Sequence, residues 1–464
     1  MTDSFSNLSI SSKRYLFVSS ILAIPILFLL TTLVRSELAM IMMAGIGLVL
    51  LAVFNLDITI RVLIVAFFIN YLFMNFRVSV LFVPVVLLSF LITQQHLKKE
   101  EFYNPLTKFL LIYFLLCLPS LINCNALGGS LLIATQFIAF ITVIYILTSY
   151  IKSTSQIKSY IKLFMILSLI NAVHVVIQVI LYGGRKFGFA GIMFVDYVNI
   201  AIIVNLLLVV LRRDRGYLEF IFLLTLALLV IVSVLMQTRN SWVSIAITFG
   251  LLVMYLYTKS ELYNISRAKI AYFVSVIILL MGITVLFIVS RTDFSDRVTN
   301  IEIKEEVDIQ EDIGNSLLTR LLIWDTTFRA FSAHPIVGIG WYSFPIVSEQ
   351  YSQLPEILFE KYVEGLTPHV GYFAVLAETG LIGFSGFILL LFMIIKNANR
   401  VVNKSRNREE RFIATILLWV LIYITVSLSM TDAWLWGVGI IVWGFFIGLL
   451  GGLYRIVNKI SIEQ

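Results

Sequence analysis

Residues 434–453 read WLWGVGIIVWGFFIGLLGGL, twenty residues without a single charge. A helix rises 1.5 Å per residue, so this run spans about 30 Å, the thickness of a bilayer's hydrocarbon core. A helix satisfies its own backbone polar groups, which is what hydrocarbon demands of a spanning segment. Working back along the chain, runs of similar character occupy 15–34, 38–54, 58–74, 78–94, 106–122, 129–150, 160–182, 192–211, 217–236, 241–257, 270–289, 371–395 and 411–430. The expected fold is therefore an all-α polytopic membrane protein of about fourteen transmembrane helices. The count falls to twelve or thirteen if the short runs at 38–54, 58–74 and 78–94 do not all cross. Composition agrees: of 464 residues 60% are apolar or aromatic and 13% charged, against about 45–50% and 25% in soluble domains. Mean hydropathy is +0.97. A soluble enzyme, a nucleic-acid binder and a disordered chain are excluded, because none could place this much apolar side chain.

Orientation follows from where Lys and Arg fall. With the N-terminus in the cytoplasm, 21 of the 34 cations lie in inside segments and 11 outside, six of the latter in one long loop. Both termini are then cytoplasmic. The first run follows Lys13 and Arg14 and has no small-residue cleavage site, so it is expected to remain as a span. The basic segment 396–411 reads as a cytoplasmic topology anchor. Cys117 and Cys124, seven residues apart on or near one helix, are poorly placed to bridge. The domains expected are 1–289 with the first eleven spans, 290–370 as an outer-face catalytic loop, and 371–464 with the last three spans.

A loop as long as 290–370 is usually functional. Residues 301–312 (IEIKEEVDIQED) are acidic and solvated. Residues 316–333 (SLLTRLLIWDTTFRAFSA) carry Leu317, Leu321, Trp324, Phe328 and Phe331 at helical spacing, which predicts an amphipathic helix lying on the membrane or capping the bundle. HPIVGIGWYSF (334–344) is a turn rich in Pro, Gly and aromatics.

Positive charge is disfavoured on the outer side, yet Arg185 and Lys186 sit together between two spans. Arg239 stands in the short QTRN turn, and Arg291, Arg297, Arg320 and Arg329 in the long loop. They either anchor to lipid phosphates or converge on an anionic ligand such as a diphosphate, whose oxygens suit a guanidinium's paired donors. Of the four histidines, His96 is cytoplasmic, His174 is a packed mid-span residue and His334 belongs to a Pro-containing turn. His369 opens a helix on the outer face, where the helix dipole disfavours imidazolium, so a neutral ring could accept a hydroxyl proton. Glu378 and Asp196 are ionisable groups within spans, each either functional or a structural partner for nearby groups. Gly380, Gly383 and Gly386 favour close helix packing. There is no phosphate-binding Gly-rich loop and no cluster at metal-ligand spacing. The first outer loop, Arg35-Ser36-Glu37, has one carboxylate. No metal and no cofactor are expected.

Several motifs together resemble the O-antigen polymerase/ligase superfamily, which includes Wzy-type polymerases and WaaL-type ligases. They are Arg320-x-x-x-Trp324 followed by His334-Pro335 and Gly338-x-Gly340; His369 followed by Glu378-Thr379-Gly380-Leu381-x-Gly383; Thr238-Arg239-x-x-Trp242; and Arg185 with Gly191. The likeness covers roughly 185–385. Two positions depart from the family pattern: Val370 stands where Asn usually follows the His, and Val195-Asp196-Tyr197-Val198-Asn199 replaces Asn-Pro-Asn. The resemblance implies an inverting, metal-independent glycosyl transfer at the outer face of a bacterial inner membrane. The donor it implies is a glycan on undecaprenyl diphosphate. His369 would be the base, Arg239 and Arg320 the catalytic cations on the diphosphate, and Arg185, Lys186, Arg291, Arg329, Trp324 and Glu378 substrate contacts. Expected partners are the lipid-linked glycan, the bilayer and a chain-length regulator protein, with no nucleic acid.

Polymerase and ligase differ in acceptor: another lipid-linked glycan, or lipid A–core. Fourteen spans and the ten residues between Arg329 and Gly340 favour the polymerase. A glycolipid flippase is the more distant alternative. Transporters commonly show repeated halves and midplane charges, whereas here one asymmetric loop and the unusual cations share one face.

Overall fold

A computed structural model describes residues 55–69, 78–93, 104–125, 127–183, 186–211, 217–289 and 316–459. The expected spans 15–34 and 38–54, the acidic segment 301–312, and Arg185, Arg291 and Arg297 lie outside the described residues.

Every described element is helical. In chain order these are α1 (Leu56–Ile69), α2 (Val78–Thr93), α3 (Thr107–Cys117), α4 (Leu127–Tyr150), α5 (Thr154–Tyr182), α6 (Phe194–Leu211), α7 (Tyr217–Leu235), α8 (Arg239–Thr258), α9 (Arg267–Val289), α10 (Ser316–Ala333), α11 (Gly371–Lys404), α12 (Arg408–Ser427) and α13 (Gly437–Lys459), with short helical turns between some of them. The helices other than α10 coincide with the twelve apolar runs from 58–74 onward. Seven segments among the described residues are long and apolar enough to cross a membrane, and shorter apolar helices lie at Val83–Thr93, Thr107–Asn123 and Phe220–Leu235. The chain is an integral membrane protein; fourteen crossings remain an expectation.

Small residues set the closest packing. Gly444, Gly448 and Gly452 line one face of α13, and a Cβ at any of them would press on Phe140 or Leu147 of α4 or on Ile151 just beyond its end. Such close approach drives helix association in lipid, where tails and leucines are equally apolar. The core runs on through α6, whose residues are nearly all buried, to α12 and α13. Beneath it lies a polar network. Asp196 accepts from the Tyr423 hydroxyl at 2.5 Å and from Ser427 at 3.1 Å, and the Asn199 amide donates to Ser241 Oγ at 2.5 Å and to Tyr423 at 2.9 Å. Asp196 is thus a structural partner of α12. Cys117 and Cys124 form no disulfide with each other, in keeping with their spacing.

Candidate active site

Three chain segments build the site, each placed for a local reason. The first is the start of α11. Val370 offers no side-chain cap, so the first amides of the helix find partners across the bundle. Gly371 N donates to Leu428 O at 2.8 Å and His369 N to Asp432 Oδ2 at 3.3 Å. These bonds tie His369 to the turn after α12 and meet a helix N-terminus's need for acceptors. His369 itself sits at φ +59°, an uncommon conformation for a residue with a side chain.

The second segment is α10. Its boundaries match the expected amphipathic helix, and its apolar stripe is partly packed and partly exposed. Ile323, Thr326, Thr327 and Ala330 are buried, whereas Leu321 and Phe328 are 50% and 43% exposed. Thr326, Thr327 and Ala330 let α10 sit close to its neighbours, with Ile323 packed beside them. Trp324 and Phe328 meet Phe373 of α11, with ring centroids 5.6 and 4.8 Å apart. One turn before Trp324, Arg320 Nη1 donates to Asn240 Oδ1.

The third is the start of α8, which Arg239 opens. Asn240 holds Arg320 on one side and donates through Nδ2 to Met430 O at 2.8 Å on the other. The α10 cation, the α8 N-terminus and the 428–432 turn under His369 are therefore one connected unit. The electrostatics reflect it. Burial lowers the His369 pKa below the ordinary imidazole value; the neighbouring Asp432 carboxylate raises it and the Arg320 charge lowers it further. Among the described residues the ring makes no hydrogen bond of its own.

Glu378 does not join this cluster. It is fully buried, and Oε2 accepts from Tyr342 N at 2.9 Å. Its role is to hold the 334–344 loop. At Gly380 (φ +62°) α11 breaks. The loop fills the break: Ile339 N donates to Ala377 O and Gly340 N to Glu378 O, each at 3.1 Å, while Leu381 N donates to Pro335 O at 2.9 Å and Ile382 N to Ile336 O at 3.2 Å. A Cβ at Gly338 or Gly380 would overlap the opposing backbone. The loop's other side is held by Asn123, whose amide meets His334 Nδ1 at 3.2 Å and Gly338 O at 3.0 Å. His334 is a structural residue. His174 is too, stacked on Phe189 with centroids 3.7 Å apart.

Arg329 lies nine residues from Arg320, half a turn round the helix at about 100° per residue. It pairs there with Asp325 at 2.7 Å, both partly exposed. Lys186 lies over the Tyr182 ring at 5.8 Å. The structure brings His369 and Arg320 together beside the start of α8, with Trp324 one turn away; Arg329 turns to the other side of α10, and Glu378 is bonded to the 334–344 loop. Sequence reasoning missed Asn240 and Asp432. Their only signal was a polar residue in a short turn between spans.

Residues 224–388 match the family model Wzy_C, described as O-antigen ligase. The match covers α10, the 334–344 loop, His369 and the break in α11, and it bears out the resemblance carried by the motifs. A search of curated proteins finds no match.

Proposed function

We propose that the protein is an inverting membrane glycosyltransferase that moves a glycan from a polyprenyl diphosphate to an acceptor hydroxyl. The convergence of His369 and Arg320, far apart in sequence, carries this reading. The neutral His369 ring takes the acceptor's hydroxyl proton. The oxygen attacks the anomeric carbon from the face opposite the diphosphate. The bond from that carbon to the diphosphate oxygen breaks, and the diphosphate leaves with the electron pair. Arg320 and Arg239 balance the developing charge. A diphosphate is already a good leaving group, so alignment and charge compensation supply most of the acceleration. Losing one such cation costs about 2.7–4 kcal/mol of barrier, by comparison with a single lost oxyanion donor.

The reaction we favour is polymerisation of undecaprenyl-diphosphate-linked repeat units into O-antigen or a related polysaccharide at the outer face of the inner membrane. The description of the matching family supports a second reading, ligation of the glycan to lipid A–core. Purified protein given the lipid-linked donor, with and without lipid A–core, separates them. Chain growth without lipid A–core supports the polymerase, and product only with it supports the ligase. Directional lipid movement without glycan transfer, persisting in His369→Ala, would overturn the enzyme reading.

A further inference from the structure

The basic segment that reads as a topology anchor forms part of a cavity the transfer reaction does not use. The cavity holds about 1140 Å³ between α5, α6, α7 and α12, beyond the roughly 300–1,000 Å³ of ordinary small-molecule pockets. It lies at the end of the bundle opposite His369. From Arg411 to Leu428, beside the start of α11, α12 climbs 17 residues, or about 25 Å.

Its rim and walls differ sharply. Lys158, Lys162, Arg406, Arg408 and Arg411 stand at the mouth with one carboxylate, Glu409, for a net of four positive charges. Below them Leu169, Leu208, Phe222 and Ile416 line apolar walls. On α5 the lining runs from Lys158 to Leu169, a depth of about 16 Å at 1.5 Å per residue. That is half of a roughly 30 Å hydrocarbon core, or one leaflet.

Two polar groups here lack partners. Asn205 is fully buried and lines the cavity, yet neither Oδ1 nor Nδ2 has a hydrogen bond. Arg411 Nε is likewise buried and unbonded, although its Nη2 donates to Ser405 O at 2.9 Å. Leaving a buried donor or acceptor unmade is costly, so both groups point to a ligand that brings oxygens. The cations are partly pre-set: Lys158 pairs with Glu409 at 2.8 Å and Arg408 donates to Leu211 O at 2.9 Å.

We propose that this cavity holds one anionic glycerophospholipid of the leaflet at that end. Its phosphate sits among the rim cations, its glycerol and ester oxygens meet the Asn205 amide, and its acyl chains fill the cleft. Cations between helices at a bilayer surface suit phosphate headgroups, and the apolar depth suits chains of a single leaflet. The inference is independent of the glycosyl-transfer reading.

The test is native mass spectrometry of the delipidated full-length protein, titrated with phosphatidylglycerol, with phosphatidylcholine of the same chains, and with a polyprenyl phosphate. One phosphatidylglycerol per chain is expected, held at least about tenfold more tightly than phosphatidylcholine. The pair Lys162→Ala and Arg406→Ala should weaken it about 10- to 30-fold, at roughly fivefold per cation. Asn205→Leu should weaken phosphatidylglycerol and phosphatidylcholine alike, since both carry the ester oxygens. Should the double variant not fold, Lys162→Gln alone, with about a fivefold loss, serves instead. Equal retention of the two phospholipids, unchanged binding by the cation variants, displacement by inorganic phosphate alone, or preference for the polyprenyl phosphate would each overturn the proposal.

Discussion

Replacing Asn240 with Leu tests whether the cluster works as a connected unit. Leu nearly matches Asn in size but removes the acceptor for Arg320 Nη1 and the donor to Met430 O. A bond to a charged group contributes about 1.5–3 kcal/mol and a neutral one about 0.5–1.5. Together they hold about 2–4.5 kcal/mol of alignment between α10 and the turn beneath His369. At 1.36 kcal/mol per tenfold, loss of all of it from the transition state lowers the rate about 30- to 2,000-fold. Arg320 is half-buried, so water replaces part of its bonding and the expected loss is near the lower end, roughly 30- to 100-fold. It should fall mainly on kcat, because in the proposed reaction Arg320 acts most strongly on charge that develops as the diphosphate leaves. Asn240→Asp separates position from charge. It keeps an acceptor for Arg320 but sets a carboxylate against the guanidinium, and should weaken donor binding as well as turnover. Initial rates over a range of lipid-linked donor, with purified variants of matched thermal stability, read both effects. An Asn240→Leu protein within twofold of wild type in kcat would refute the reasoning.

His369→Ala should lower transfer by about 10²–10⁴, the usual contribution of a general base, while membrane insertion stays normal; a fully active variant removes the base assignment. Burial and Arg320 hold the His369 imidazole below its ordinary pKa, and in the proposed reaction the neutral form is the active one. The acid limb of kcat/KM should therefore lie below about pH 6.5. Asp432→Asn removes the charge that favours imidazolium and should move that limb to lower pH, whereas Arg320→Gln should move it higher; a limb unmoved by both contradicts the coupling. Gly338→Ala should destabilise the protein by about 3 kcal/mol or more, through a left-handed conformation costing about 1–2 kcal/mol and the strained bonds to Ala377 and Glu378; thermal unfolding in detergent measures it. Arg329→Ala removes one partly exposed i,i+4 pair worth about 0.3–0.5 kcal/mol and should leave transfer nearly unchanged, so a large loss there would reinstate Arg329 at the site.

Hydrophobic runs made the spanning helices legible, because the bilayer imposes a length and a polarity that few other environments do. The bounds of α10 were legible for a similar reason: helical periodicity ending just before His334-Pro335. The sequence did not say which side of it packs inward. Leu321 and Phe328, in the stripe expected to meet the membrane or the bundle, are about half exposed, while Ile323, Thr326, Thr327 and Ala330 take the interior; in lipid a large apolar side chain is as stable facing outward. Glu378 was legible as an ionisable group needing a partner, but nothing along the chain says that the partner is the amide of Tyr342. Asn240 and Asp432 were invisible because their meaning lies in contacts with residues 80 and 63 positions away.

The break at Gly380 explains why the cluster can be rigid although its cation is carried on a loop. A helix broken near the membrane frees backbone donors and acceptors that hydrocarbon cannot satisfy, and such a break persists only where protein supplies the missing bonds. Here residues 335–340 supply them, with Glu378 adding a side-chain acceptor for Tyr342 N. The loop is thereby joined to the same helix that begins beside His369. Since α10 runs directly into this loop at His334, Arg320 and His369 are referenced to one body at two points: the Gly380 break and the Asn240 bridge. A cation on a hinged lid would align with an anionic ligand only after closure, and would lose part of its effect to that reorganisation. A cation anchored at both ends of its helix is aligned before any such ligand arrives, the condition under which the charge stabilisation proposed for Arg320 is most effective.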